Sequence, residues 1–334
     1  MFQLRYYLSF FKALTLRRLA NLFLVKYSYY LSLLTRKNKH RGLPVTLAVE
    51  PTTSCNLHCP ECPSGLRKFH RPTGFLKEET FDTILNQLSD SLLYITLYFQ
   101  GEPLMHKQFP LFVKKLKERK IVTATSTNAH FLTERKSREI IEAGLDRLIV
   151  SLDGTDASTY QKYRRGGDFD KVTENISRFM KIRKELGAKA PYVELQFIVF
   201  KHNEHQIREI KRLGKDLGVD RTVLKTAQLY EFNEGNPLMP GLVKYSRYEE
   251  YEPGKYRIKN PLPNRCYRSW SSPVITWDGD VVPCCFDKDA DHRLGNVRDH
   301  SFDEILKGKK YSAFLQQILD NRAAIEICRN CTER

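Results

Sequence analysis

The chain has 334 residues, 41% of them hydrophobic, which is enough for a large buried core plus a small second domain and excludes a low-complexity chain. Its formal net charge of +16 points to an anionic partner surface, and the longest uncharged run near its start, Tyr27–Thr35, falls far short of the roughly twenty residues that span a bilayer. Eight cysteines with no secretory signal ahead of them are expected to be reduced thiols in the cytoplasm, not a disulfide framework.

Residues 1–42 carry Arg5, Lys12, Arg17, Arg18, Lys26, Arg36, Lys37, Lys39 and Arg41, and no Asp or Glu occurs before Glu50. Phe, Tyr and Leu are interspersed among these cations. The segment therefore reads as an amphipathic helix resting on an anionic membrane surface, peripheral on its cytoplasmic side. Packing of the same helix on the rest of the chain, with a solvated basic edge, is the competing reading. Nucleic acid ranks below both, because no RNA-binding module is recognisable.

Val45–Glu50 is an apolar run of strand length, and it leads into Cys55-x3-Cys59-x2-Cys62. Further strand-like runs are Tyr94–Phe99, Val122–Ser126, Arg147–Leu152, Tyr192–Phe200 and Thr222–Leu224, with helical patterns near 77–90, 109–119, 133–143, 170–187 and 204–217. Such alternation predicts βαβ units and an α/β fold with a parallel sheet over 43–226, where ligands gather at the C-terminal strand ends. Three thiolates on one short loop can hold three irons of a four-iron cluster and leave the fourth open to a small molecule. Zinc is the alternative, but its knuckles favour paired C-x2-C, which the extra residue between Cys55 and Cys59 breaks.

The spacing of Cys55, Cys59 and Cys62 resembles that of the radical S-adenosylmethionine (SAM) superfamily. The resemblance implies a partial (βα)6 TIM-like barrel whose [4Fe–4S] cluster binds the amino and carboxylate groups of SAM. An electron from an external donor such as flavodoxin or ferredoxin then releases a 5′-deoxyadenosyl radical. Gln100-Gly101-Glu102-Pro103 is similar to the family's Gly-Gly-Glu motif, with Gln100 replacing the first glycine, so Gly101 and Glu102 would receive the SAM ammonium. By the same resemblance Ser151 and Asp153 lie near the methionyl or ribose part of SAM, and Asn128 faces the substrate side. Arg164 would meet the SAM carboxylate, which suits a bidentate guanidinium, with Arg165 as the alternative.

Residues 227–265 hold five prolines, with Tyr245, Tyr248, Tyr251 and Tyr256 set between charges, which predicts an irregular linker. From Cys266 onward, residues 274–283 read as a hairpin turning at Asp278-Gly279, and a helix is expected near 301–319. The hairpin would bring Cys266 and Cys284 together, and the helix would return Cys328 and Cys331 to them. Four thiolates can ligate a second four-iron cluster. This set resembles the SPASM and twitch domains appended to many radical SAM enzymes, which implies one auxiliary cluster over 266–334. Cys285 is the spare thiol or exchanges roles with Cys284, and a zinc ribbon is the alternative metal site.

With two [4Fe–4S] clusters and SAM, the resemblance implies oxidation of a small hydroxylated substrate, sugar- or cyclitol-like, with the auxiliary cluster as electron acceptor. No residue is assigned as the general base. Modification of a ribosomally made peptide is the second reading, weakened because the N-terminal segment is too short and apolar for a leader-binding winged helix. An iron–sulfur electron carrier without SAM turnover is the third, and the motifs at 100–103 and 151–154 speak against it.

Overall fold

The computed structural model describes residues 2–332. In chain order its principal elements are α1 (Phe2–Ala13), α2 (Leu16–Thr35), β1 (Thr46–Val49), α3 (Pro63–Leu66), α4 (Glu78–Leu88), β2 (Tyr94–Thr96), α5 (Phe109–Glu118) and β3 (Val122–Thr127). They continue with α6 (Glu134–Glu142), β4 (Arg147–Ser151), α7 (Ala157–Tyr163), α8 (Phe169–Glu185), β5 (Tyr192–Val199), α9 (Ile207–Asp216) and β6 (Arg221–Thr226). A ribbon of β7 (Tyr248–Glu252) and β8 (Lys255–Ile258) precedes α10 (Tyr267–Ser271), β9 (Val274–Ile275), β10 (Asp280–Val282), β11 (Gly295–Asn296), α11 (Phe302–Lys307) and α12 (Lys309–Asn321).

The chain packs as two units, with the boundary falling inside β3. One unit is formed by Cys55–Lys68 and Thr125–Pro261 with the chain up to Tyr6. In it β4 and β5 pair parallel from Arg147↔Tyr192, β5 and β6 from Glu194↔Arg221, and β7 and β8 antiparallel. Asp156 and Asp168 accept hydrogen bonds from the first turns of α7 and α8, fixing where each begins. A buried Arg183–Asp220 pair ties α8 to the turn before β6, where the Asp220 carboxylate also accepts from Val193 N–H at 2.7 Å.

The other unit is formed by Tyr7–Ser54, Phe69–Ala124 and the chain from Leu262 on. Here β1 pairs parallel with β2 and β2 with β3. On its other side β1 pairs parallel with β9, which turns back antiparallel to β10 and β11. Helices α4 and α5 bury Phe81, Ile84, Leu85, Leu88, Phe109, Phe112 and Leu116, a 3.6-residue periodicity, and Phe81 meets Phe112 at 4.5 Å between ring centroids. Buried Arg18 donates to the carbonyls of Ala13, Ser89, Arg119 and Lys120, so one guanidinium neutralises the negative C-terminal ends of α1, α4 and α5.

Three expectations are corrected. The N-terminal helix is two helices, because Thr15 adopts an extended conformation and caps α2 by accepting from Arg18 N–H. The helix expected near 301–319 is likewise two, broken at the extended Gly308. The proline-rich linker contains an antiparallel ribbon, steadied where Tyr248 is buried and its hydroxyl bonds the Leu229 backbone. Helix α7 carries no periodic signal long enough to predict it.

One ion pair sets the end of β1. The fully buried Glu50 carboxylate receives both arms of Arg71 at 2.7 and 2.6 Å and also accepts from Trp277 N–H. Arg71 Nε donates to Lys288 O at 3.0 Å. Removing one member of such a pair strands a buried charge. Glu50→Gln should therefore cost about 3–5 kcal/mol, whereas Arg17→Ala, which breaks an exposed pair with Asp90, should cost less than about 1 kcal/mol. Denaturant unfolding of the two variants beside the parent checks this contrast.

Candidate metal centres

Cys55, Cys59 and Cys62 lie on the loop that enters α3. Cys62 N–H donates to Cys59 O, and the chain turns so tightly that a Cβ on Gly65 would come within 2.6 Å of the Cys59 backbone. Leu57, Tyr163, Phe200, Ala227, Leu229 and Tyr248 form an apolar cluster around the three cysteines. Burial pushes the Cys59 thiol up to about 11, against the pull of the neighbouring Arg164. Because the thiolate is the ligand, filling this loop with metal must release protons.

Residues of the same unit surround the loop. Asn128, at the end of β3, donates through Nδ2 to Asn56 Oδ1 at 2.8 Å and lies 3.9 Å from Cys55 Sγ. Its amide is oriented by His130. Asp168 N–H donates to His130 Nε2 at 2.9 Å, which leaves Nδ1 as the protonated nitrogen facing Asn128 Oδ1 at 3.1 Å. Asp153, fully buried, accepts from Ile198 N–H and pairs with Arg164 at 2.6 Å; Ser151 is buried at the end of β4. The structure thus brings Asn128, Asp153 and Arg164 to the cysteine loop and engages Arg164 with Asp153.

Gly101 and Glu102 belong to the other unit. Gly101 has φ +73°, and a Cβ there would stand 2.3 Å from Thr52 O, so only glycine fits. Glu102 is buried; its N–H donates to Ser54 O at 2.8 Å and its carboxylate caps Leu104 N–H at 3.1 Å.

In the same unit as Glu102, Cys266, Cys284, Cys328 and Cys331 are all buried, and none of the eight cysteines is disulfide-bonded. Gly279, at φ +91°, makes the predicted turn, and β9 with β10 carries the chain back to Cys284. Cys284 lies near Cys285, Cys266 and Cys328; Cys285 is half-buried, with Arg268 Nη1 at 3.6 Å. Burial holds Cys284 well above the usual thiol range and Cys328 at about 11. Arg322, missed by sequence reasoning as one of 55 Lys and Arg, is buried among these thiols. Its Nη2 donates to Cys331 Sγ at 3.2 Å, and its Nε has no partner. Among the described residues no three His, Cys, Asp or Glu groups converge as for a single metal ion. The thiol-rich donor sets, the apolar shell of one and the orphaned guanidinium nitrogen of the other fit iron–sulfur clusters.

A cavity of about 670 Å³ opens in this unit. Cys266, Cys285 and Arg268 line it with Lys26, Lys288, Gln100, Thr46, Thr96, Ser271, Ser272, Tyr94, Tyr98 and Tyr267.

Two family models match the chain: the Radical SAM superfamily over residues 49–214, and SPASM, an iron–sulfur cluster-binding domain, over residues 266–332. The chain is a radical SAM protein with a C-terminal SPASM domain; the first implies a [4Fe–4S] cluster and SAM, the second auxiliary iron–sulfur clusters. It is 26% identical, over 86% of its length and 87% of the relative's, to the tungsten-containing aldehyde ferredoxin oxidoreductase cofactor-modifying protein of Pyrococcus furiosus. Its fold is similar to that of BtrN in complex with AdoMet and 2-DOIA, with TM-score 0.53 and 21% identity over 87% of this chain and 94% of BtrN. Streptococcus suis SuiB bound to S-adenosylmethionine gives TM-score 0.64 and 15% identity over 91% of this chain and 75% of SuiB, which has also been solved with the precursor peptide SuiA. The parallel α/β sheet is the one typical of the radical SAM partial barrel.

Anaerobically reconstituted protein should hold about eight irons, and the Cys55, Cys59, Cys62→Ala triple variant about four. Cys284→Ala should also fall toward about four, while Cys285→Ala keeps the full content. Iron analysis of the four proteins decides it, and the reverse result for the last two would exchange the roles of Cys284 and Cys285.

Proposed function

We propose that the chain is an oxidoreductase that cleaves SAM reductively and oxidises a small hydroxylated substrate, sugar- or cyclitol-like, with the auxiliary cluster taking up an electron. The observation that carries this reading is the cavity that has Cys266 and Cys285 in its wall. Bound at the two cysteine sets, the clusters supply a 5′-deoxyadenosyl radical from SAM, given an electron from a donor such as flavodoxin or ferredoxin, and an electron sink beside the substrate. Tyr94, Tyr98 and Tyr267 offer aromatic faces to the C–H surface of a ring. Gln100, Thr46, Thr96, Ser271 and Ser272 offer partners to its hydroxyls.

The SAM contacts belong to the same proposal. Gly101 and Glu102 take the ammonium, and Ser151 and Asp153 hold the methionyl or ribose part. Asn128 faces the substrate side, and Arg164, paired with Asp153, meets the SAM carboxylate. BtrN, whose whole length this chain nearly covers, was solved with a small ligand, 2-DOIA, which supports a small substrate. SuiB, solved with a peptide, is longer than this chain covers.

The N-terminal helices rest on an anionic membrane surface in this reading. Helix α2 packs inward through Val25, Ser28, Tyr29 and Ser32, with Tyr29 against Tyr267 and Trp270. Its opposite face presents Leu16, Leu19, Phe23, Tyr27, Tyr30 and Leu34 in one exposed stripe, and Tyr7 and Phe11 of α1 and Leu14 ahead of α2 are exposed as well. Exposed Lys12, Lys26 and Arg36 accompany this stripe, and so does Arg17, which pairs with the exposed Asp90. No helix among the described residues is long and apolar enough to cross a membrane.

With reductant and SAM the protein should release 5′-deoxyadenosine, faster with a sugar or aminocyclitol whose product has lost two hydrogens. Cys284→Ala should keep the first reaction and lose the second. Stimulation by peptides alone would transfer the assignment to peptide modification, and no 5′-deoxyadenosine would make the chain a carrier. In flotation, anionic vesicles should capture the protein, less so as salt rises. Phe23→Asp with Leu34→Asp should abolish capture, because both side chains are exposed. Equal, negligible capture by anionic and neutral vesicles would reduce the helices to packing elements.

A further inference from the structure

Arg322 is 1% exposed at the end of α12 and is fixed from the segment just before Cys266. Its backbone N–H donates to Asn264 Oδ1 at 3.1 Å and its Nη1 to Arg265 O at 2.9 Å. The other arm, Nη2, donates to Cys331 Sγ at 3.2 Å, and the thiols of Cys266 and Cys328 also lie within reach of its charge. Among the described residues no carboxylate pairs with it. A buried guanidinium with no anion is strongly unfavourable. Elsewhere in the chain the rule is kept: Arg71 has Glu50, Arg183 has Asp220, and Arg18 has four carbonyls. The groups facing Arg322 are instead cysteines. They become its counter-charge only when a metal holds them as thiolates.

We propose that Arg322 is the resident counter-cation of the auxiliary cluster, donating to the Cys331 thiolate and stabilising the more negative, reduced state so that the cluster is the better electron acceptor. This rests on the proposed ligand set Cys266, Cys284, Cys328 and Cys331. Cluster potentials are set by net charge, hydrogen bonds to sulfur and solvent exposure, and a buried guanidinium that donates to a cysteine sulfur acts through the first two in the same direction. The electron balance needs no further reagent. A substrate radical that has released its hydroxyl proton to solvent gives up one electron, and the auxiliary cluster gains it. The N-terminal cysteine loop is built differently, since the arginine beside Cys59 is already neutralised by Asp153. Arg322 is therefore a positioning and tuning residue and touches no substrate.

The test uses full-length protein carrying Cys55, Cys59 and Cys62→Ala, so that only the auxiliary cluster remains, with Arg322 intact, Arg322→Lys or Arg322→Gln. Redox titrations followed by absorption and electron paramagnetic resonance, without SAM or substrate, read the midpoint directly. Arg322→Gln should lower it by at least a tenfold change in the oxidised-to-reduced ratio, about 59 mV for one electron, with Arg322→Lys between. If Arg322→Gln loses iron and Arg322→Lys keeps it, the charge requirement is upheld by a second route. Equal midpoints in all three proteins, or loss of iron from both variants, overturns the proposal. Absence of a cluster when Arg322 is intact would instead indict the ligand assignment, and a wrong substrate class would leave the titrations unmoved.

Discussion

The buried pair of Glu50 and Arg71 is the constraint from which the geometry of its unit follows. Glu50 ends β1, five residues ahead of Cys55, and Arg71 begins the return of the chain after the cysteine loop. The same carboxylate accepts from Trp277 at the tip of the β9–β10 hairpin, and Trp277 leaves no room for a Cβ on Gly74. A buried ion pair contributes little net stability, since desolvation offsets its attraction, but breaking it is costly. Its effect here is positional. It fixes the register at which the strand stops and the loop begins, and it ties that point to the hairpin that carries Cys284.

Part of the cationic excess has an internal role. Arg18, read in the sequence as part of a basic surface, is buried 4% exposed and closes three helix ends through their carbonyls. That anchor explains how α2 can be both a packed helix and an exposed one. Its inward face is held by Arg18, Val25 and Tyr29, and this frees the other face to carry aromatic side chains in water. The packing reading of the sequence thus describes the inner side of this helix, and the outer side is an exposed aromatic stripe.

What was legible in the sequence was whatever repeats or has fixed spacing. The six parallel strands and the helices between them follow from apolar periodicity, and the cysteines stand out because a cluster needs several thiolates on short loops. Less legible were features set by partners distant in the chain. Helix α7 depends on the Asp156 cap and on Gly154, where a Cβ would meet the Tyr160 backbone at 2.4 Å. The breaks at Thr15 and Gly308 depend on one residue's backbone angles, which no period reveals. His130 is recognisable as the residue that orients Asn128 only once Asp168 is seen beside it, 38 positions on.

The parallel pairing of β9 with β1 bears on how this protein could be divided. Val45, Ala48 and Glu50 give their N–H groups to Ser271, Pro273 and Ile275, so the C-terminal region supplies a missing strand to the sheet as well as thiols to a cluster. Cutting the chain ahead of Leu262 would leave that edge of β1, with the apolar Leu47 and Val49, without its hydrogen-bonding neighbour. An uncapped strand of this kind recruits another copy of itself. Such a truncation would be lost to self-association before the absence of an iron–sulfur centre could be noticed, and the auxiliary region is on these grounds a structural half of the sheet, inseparable from the strand that feeds the first cysteine loop.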